Sequence, residues 1–233
     1  MADTASDVLV LVAHPNLEAS VVNRRLMKVA HRAEVEVRDL YSLYPDYLID
    51  VEAEQAALAR AKLVVMQHPL QWYSMPPLMK LWLDDVLSFG WAYGPGGTAL
   101  AGKHLWLVTS TGGPQESYHP QSYNRYFFDA FMPPYEQTAA LCGMRFVPPL
   151  VLHGATQVGH DTLESHAQTY LDRLSTYPHW PELDEMADCI ACEVPVSARP
   201  PVEDDAAAPL LMALPGIAAA AGLPRTAPVG TSS

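Results

Sequence analysis

The sequence predicts an α/β domain built on a doubly wound, five-stranded parallel sheet. Two observations predict it. Short strand-like runs alternate with helix-like segments up to about residue 183. Most of those runs are apolar at every position instead of every second one, the pattern of strands covered on both faces. With 233 residues, 49% of them hydrophobic, the chain is long enough for one core of ordinary size.

Each element has its own signal. Residues 8–13, VLVLVA, read as a fully buried strand. Residues 20–33 read as a helix with Ser20 as N-cap. VEVRDL (35–40) alternates and reads as a strand; VEAEQAALARA (51–61) reads as a short helix, and KLVVMQ (62–67) as a second buried strand. Pro76 and Pro77 stand where a helix can start, and LMKLWLDDVL continues at helical spacing. HLWLVTS (104–110) is a third buried strand, PYEQTAALCGM (134–144) a helix stopping near Gly143, and RFVPPLVLHG (145–154) a last strand broken by two prolines. DTLESHAQTYLDRLSTY (161–177) closes the series as a helix with Asp161 as candidate cap. Five strands in this arrangement suit the flavodoxin-like order 2-1-3-4-5. The expected domain spans residues 1–183. Residues 184–233, rich in Pro and Ala with scattered acids, read as a disordered tail, although PLLMALPGIAAAAGL (209–223) also suits a short apolar segment against a partner.

Charge and composition narrow the function. The net charge is −12; residues 184–233 carry seven acids and two Arg, so the remaining body is also acidic, at −7. Such a chain repels nucleic-acid phosphates. No run approaches the roughly 18 apolar residues of a membrane span. MADTASD at the start has no signal-peptide pattern, and three Cys without one suit a reducing cytosol. The nine His form no HExxH and no ligand cluster, so no metal is expected. CIAC (189–192) is a lone CxxC, best read as chance spacing. Tyr41, Tyr44 and Tyr47 suit packing or dimer contacts, and Asp84 and Asp85 surface charge.

Ligands of an open parallel sheet bind beyond the carboxyl ends of its strands, and three of those ends carry unusual sequence. Residues 13–23, AHPNLEASVVN, lack both GxGxxG and GxxxxGK[ST]. The start of the following helix still offers outward N–H groups and a favourable dipole for a phosphate, with Ser20, Asn23 and His14 as side-chain donors. Taken alone, Ser20 reads first as a cap and His14 as structural. HPLQWYSMPP (68–77) is uncharged, aromatic and stiffened by proline. Trp72 and Tyr73 can wall a flat amphiphilic ring while the amides around Gln71 to Tyr73 bond its polar edge; they equally suit the core or a subunit contact. TSTGGPQESY (109–118) offers an anion-stabilising nest at Gly112 and Gly113, which otherwise read as a plain turn. Tyr118, five residues past Gly113, is placed to give or share a proton.

Together these stretches resemble a known family. VLVAHPNLEASVVNRRL, QHPLQWYSMPPLMKLW, GWAYGPGGTALAGK, TSTGG and CGMRFVPPLVLHG are similar to flavodoxin-fold NAD(P)H:quinone oxidoreductases of the DT-diaphorase type. Within that group they are most similar to the ancillary subunits of bacterial glutathione-regulated potassium-efflux systems. The resemblance covers about residues 7–175. It implies non-covalent FMN, NAD(P)H as co-substrate, a quinone acceptor, and a homodimer with its active sites at the subunit interface. It further implies docking on a potassium–proton antiporter at the cytoplasmic face of the inner membrane. Carried over residue by residue, it assigns His14, Ser20, Val21, Val22 and Asn23 to the phosphate end. Leu70, Gln71, Trp72 and Tyr73 fall beside the isoalloxazine, and Ser110, Thr111, Gly112 and Gly113 at its pyrimidine edge. Residues 114–128 depart from the family pattern and carry the candidate catalytic pair, Tyr118 and His119. A regulatory flavin-binding subunit with incidental turnover, an azo- or nitroreductase and a one-electron carrier are the competing functions.

Overall fold

The computed structural model describes residues 6–183. The expected tail, with its CxxC and the 209–223 segment, lies outside the described residues. Five strands form one parallel sheet: β1 (Val8–Val12), β2 (Glu36–Asp39), β3 (Leu63–Pro69), β4 (His104–Ser110) and β5 (Arg145–Leu152), in the order β2-β1-β3-β4-β5. The helices are α1 (Val21–Arg32), α2 (Leu40–Leu43), α3 (Val51–Arg60), α4 (Pro77–Val86), α5 (Pro133–Leu141) and α6 (His160–Thr176).

The apolar runs resolve into two faces because successive side chains of a strand point to opposite sides. Leu9, Leu11, Val64, Met66, Leu105 and Leu107 pack with Ala57, Leu58, Leu78, Met79 and Trp82 of α3 and α4. Val8, Val10, Val12, Leu63, Val65 and Val108 pack with Val22, Leu26 and Val29 of α1 and Leu163, Ala167 and Tyr170 of α6. Every position of β1, β3 and β4 except the end residues Pro69 and His104 is therefore buried, and a sheet with such strands must be covered twice.

Local chemistry starts the helices. Ser20 Oγ accepts from the Asn23 N–H (3.1 Å) and Asp50 Oδ1 from the Ala53 N–H (3.0 Å), each satisfying one orphan donor of a first turn. Pro77 opens α4, where its missing N–H costs nothing. On β5, Pro148 and Pro149 interrupt the ladder: Trp106 pairs with Val147 but Val108 with Leu150. The indole of Trp106 donates to the Pro148 carbonyl across this irregularity (3.0 Å).

Several expectations are corrected. The N-cap position of α6 is Gly159, and Asp161 sits inside the first turn, where its charge favours the dipole. β3 runs on through His68 to Pro69. α5 ends at Leu141, and Gly143 takes the left-handed conformation (φ 69°) that carries the chain back to β5. Tyr44 belongs to a buried network: Glu54, fully buried, accepts from Arg38 Nε (2.8 Å), the Tyr44 hydroxyl (2.5 Å) and Trp82 Nε1 (2.9 Å). The surface charge expected of Asp84 is observed: it is exposed and pairs with Lys80 one turn earlier on α4.

Candidate functional site

The carboxyl ends of β1, β3 and β4 lie side by side, so the three unusual loops converge on one rim. At the β1 end a turn at Leu17–Ala19 precedes α1. The N–H groups of Val21 and Val22 open that helix and have no partner within it. Val22 packs its side chain into the core, so it offers only backbone. His14 Nδ1 accepts from the Asn16 N–H (3.1 Å), which leaves the Nε2–H as its donor. Burial holds the His14 imidazole below its ordinary pKa, and nearby Asp39 opposes that shift. Asn23 corrects the sequence reading. One Nδ2 hydrogen is engaged by Ser110 Oγ (3.0 Å) and its carbonyl accepts from Gln67 Nε2 (2.9 Å), so it braces the rim, and its side chain is buried instead of lying open at the surface.

The β3 loop is a two-residue reversal. Gln71 N–H donates to the Ser74 carbonyl (2.9 Å) and Ser74 N–H to the Gln71 carbonyl (3.0 Å). Trp72 and Tyr73 between them both have positive φ, 48° and 64°. That is the backbone of a type I′ turn, which favours Asn and Gly and strains bulky residues. Two consequences follow. The Leu70 and Gln71 amides are engaged, by the Ser110 (2.8 Å) and Ser74 carbonyls, so the expected ligand contact narrows to Trp72 and Tyr73, whose N–H groups meet no acceptor among the described residues. The turn also throws the Trp72 indole out to 94% exposure, whereas Tyr73 is held by stacking on Phe131 (5.2 Å) and a hydroxyl bond to Asn124 (3.3 Å).

At the β4 end the Thr111–Gly113 carbonyls all face the segment after β5. The Ala155 N–H donates to the Thr111 carbonyl (2.8 Å), Thr156 Oγ1 to that of Gly112 (3.4 Å) and the Gly154 N–H to that of Gly113 (2.9 Å). The N–H groups of Gly112 and Gly113 meet no acceptor among the described residues. A Cβ on Gly113 would come within 2.6 Å of the Tyr123 hydroxyl and 2.7 Å of Ser117 Oγ, so any side chain there would have to displace both.

Leu70, Trp72, Tyr73, Gly113, Tyr118 and Asn124, with Tyr123, line a pocket of about 200 Å³ between these loops. Tyr118 is therefore in the pocket. Burial raises its phenol above the ordinary pKa. His119 is not brought in: it is exposed, sits edge-on to Phe127 (5.1 Å) and accepts from the Gln121 N–H (3.2 Å). Sequence reasoning missed three supporting residues. Buried Asn124 links Tyr73 to Ser117 Oγ (2.8 Å), Tyr123 covers Gly113, and His153 contacts Thr111 Oγ1 (3.0 Å). No motif announces them, since Tyr73 is 51 residues from Asn124 and Thr111 is 42 from His153.

The donors fit a phosphorylated, flat, polar-edged ring. Unengaged amides occur at the helix start, at the aromatic turn and at the double glycine, and no charged side chain lines the pocket between them. Among the described residues no group of three or more His, Cys, Asp or Glu is placed to hold a metal ion.

Comparison with known proteins agrees with this geometry. A family profile described as flavodoxin-like fold matches residues 6–176. A glutathione-regulated potassium-efflux system ancillary protein KefF of Salmonella schwarzengrund (strain CVM19633) is 47% identical over 171 residues, 73% of this chain and 96% of its own length. General stress protein 14 of Treponema denticola, solved in complex with FMN, superposes with a TM-score of 0.69 at 34% identity, covering 72% of this chain and 97% of its own. A Klebsiella pneumoniae protein described as a candidate quinone reductase gives 0.64 at 26%, covering 74% and 85%. A Streptomycin violaceusniger chain described as a thermophilic tryptophan halogenase gives 0.68 at 44%, covering 70% and 95%. The activities named for these structures differ, so what they share is the fold.

Proposed function

The chain belongs to the flavodoxin-like family that includes the KefF ancillary proteins, and from that premise we propose that it is an FMN-dependent NAD(P)H:quinone oxidoreductase acting as an ancillary subunit of a potassium–proton antiporter. The observation that carries this reading is the set of unengaged amides on three adjacent loops, two of which line an uncharged aromatic pocket. FMN, when bound, supplies the ring that accepts hydride from NAD(P)H and delivers it to a quinone.

The protein supplies position and charge. The Val21 and Val22 amides, the Ser20 hydroxyl and the His14 Nε2–H hold the phosphate. The Trp72 and Tyr73 amides would bind the polar edge of the ring, and the Gly112 and Gly113 amides would stabilise negative charge that develops on it. Tyr118 holds a proton at its phenol oxygen beside the substrate. One pocket serves both substrates, so NAD(P)H and quinone take turns in it, a ping-pong order. At about 200 Å³ the pocket is smaller than a typical ligand site, and exposed Trp72, Tyr123, Tyr126 and Phe127 surround it. A second copy across this apolar rim completes the site, giving a homodimer. The antiporter partner places the protein at the cytoplasmic face of the inner membrane; among the described residues no helix is long and apolar enough to cross it.

The purified protein is expected to be yellow, to release FMN identified by its mass, and to oxidise NAD(P)H when a quinone is added. A colourless protein that stays inactive with added FMN would overturn the reading. The name of the KefF relatives favours a second reading, a regulatory subunit whose turnover is incidental. Antiporter activation by a variant that cannot bind FMN decides between the two: intact activation without turnover supports the regulatory role.

A further inference from the structure

We propose that His153 positions the Gly112–Gly113 amides and that its protonation sets how strongly they hold an anion. The inference deepens the cofactor reading above and names a residue outside the three loops. The Thr111–Gly113 segment is clamped through its carbonyls by residues 154–156, as described. The His153 side chain completes that clamp. Thr111 Oγ1 has one proton and donates it to the Gly113 carbonyl (2.8 Å). Its contact with His153 Nδ1 (3.0 Å) must then be donated by the imidazole. A chain of two hydrogen bonds thus runs from His153 through Thr111 to the Gly113 peptide.

The ring also faces two environments. Towards the pocket it lies 5.3 Å from Tyr118 and edge-on to Phe128 at 5.1 Å. On its other side it lines two open grooves beside α6, of about 790 and 340 Å³. Solvent protons therefore reach the imidazole without passing through the ligand pocket. The titratable groups around it are Glu116 in the turn after β4, the Tyr118 phenol, and Asp161 and His166 of α6 in the larger groove. Burial favours the neutral imidazole and Glu116 opposes this. On protonation the Nδ1–H bond to Thr111 persists, so the clamp stays in place while a positive charge appears behind it. An anionic ring edge held by the Gly112 and Gly113 amides gains from that charge, and a neutral one does not.

The test begins with cofactor-free, isotope-labelled protein titrated with acid and followed by NMR. The Gly112 and Gly113 amides are expected to shift with the midpoint of the His153 ring. In His153→Gln, which keeps a donor for Thr111 but does not titrate, that shift disappears. In Glu116→Gln, which keeps the imidazole, the midpoint moves to lower pH. The affinity ratio for reduced over oxidised FMN is then expected to rise roughly tenfold below the midpoint in the native protein and to stay flat in His153→Gln. Amides that ignore the His153 titration, or the same tenfold rise in both proteins, would overturn the inference. Amides that follow His153 in a native protein that binds no FMN would defeat the cofactor reading and leave the His153 linkage standing.

Discussion

Asn23 on α1 and Ser110 at the end of β4 are joined by a buried hydrogen bond of 3.0 Å, which ties the helix start after β1 to the loop after β4. Both side chains are buried, and both ends of the proposed cofactor site depend on the link. Asn23→Ala is expected to cost about 1–3 kcal/mol in urea unfolding and to weaken FMN binding. Ser110→Ala should do the same, and the double variant should lose less than the sum, because one interaction is removed twice.

Trp72 combines strain with exposure. Asn tolerates positive φ far better than Trp, and a side chain exposed at 94% contributes little packing. Trp72→Asn is therefore expected to raise the unfolding midpoint, by up to about 1 kcal/mol, and to weaken FMN binding because one wall is lost. A fluorescence titration with FMN beside a urea melt checks both directions.

His68 in β3 gives the fold a pH dependence. Its ring is fully buried and stacked on Tyr135 (5.8 Å), and burial lowers its pKa from 6.5 to about 4. The unfolded chain thus takes up a proton near pH 6.5 that the folded chain refuses until about pH 4. Stability should be complete above pH 6.5 and fall as the pH drops through that window, by on the order of 3 kcal/mol. Urea midpoints across this range measure it, and His68→Gln should flatten the slope.

Glu54 anchors Arg38, Tyr44 and Trp82 without solvent contact. Glu54→Ala leaves the Arg38 guanidinium facing an unfilled site and is expected to cost about 3–5 kcal/mol, measured by thermal or urea unfolding.

Tyr118 and His119 are separable. Tyr118→Phe keeps the ring contacts with Phe128 and His153 but removes the proton, so quinone turnover should drop roughly 10²-fold with FMN binding kept. His119→Ala, outside the pocket, should leave steady-state turnover unchanged.

The central sheet was legible because its signal is local. The runs at 8–13, 63–66 and 105–108 are apolar at every position, and the helix starts at Ser20 and Pro77 are written in adjacent residues. α2, four residues long, is too short to show a helical period. The hairpin turn at Trp72–Tyr73 lacks the Asn-Gly signature that turn chemistry requires, so its shape, and the loss of the Leu70 and Gln71 amides, was hidden. Asn124 and His153 act on partners 51 and 42 residues away, and only the folded topology brings them there. The resemblance singles out three loops that the fold brings to one rim, but sequence alone does not tell an offered amide from one already engaged.

The paired prolines of β5 have a consequence for how molecules of this protein meet. β5 forms one border of the sheet and β2 the other. Pro148 and Pro149 remove two backbone donors from β5 and break its regular register. The second border is only four residues long and carries Glu36, Arg38 and Asp39. Neither margin can template a neighbouring chain, so the sheet is barred from growing sideways into a fibre.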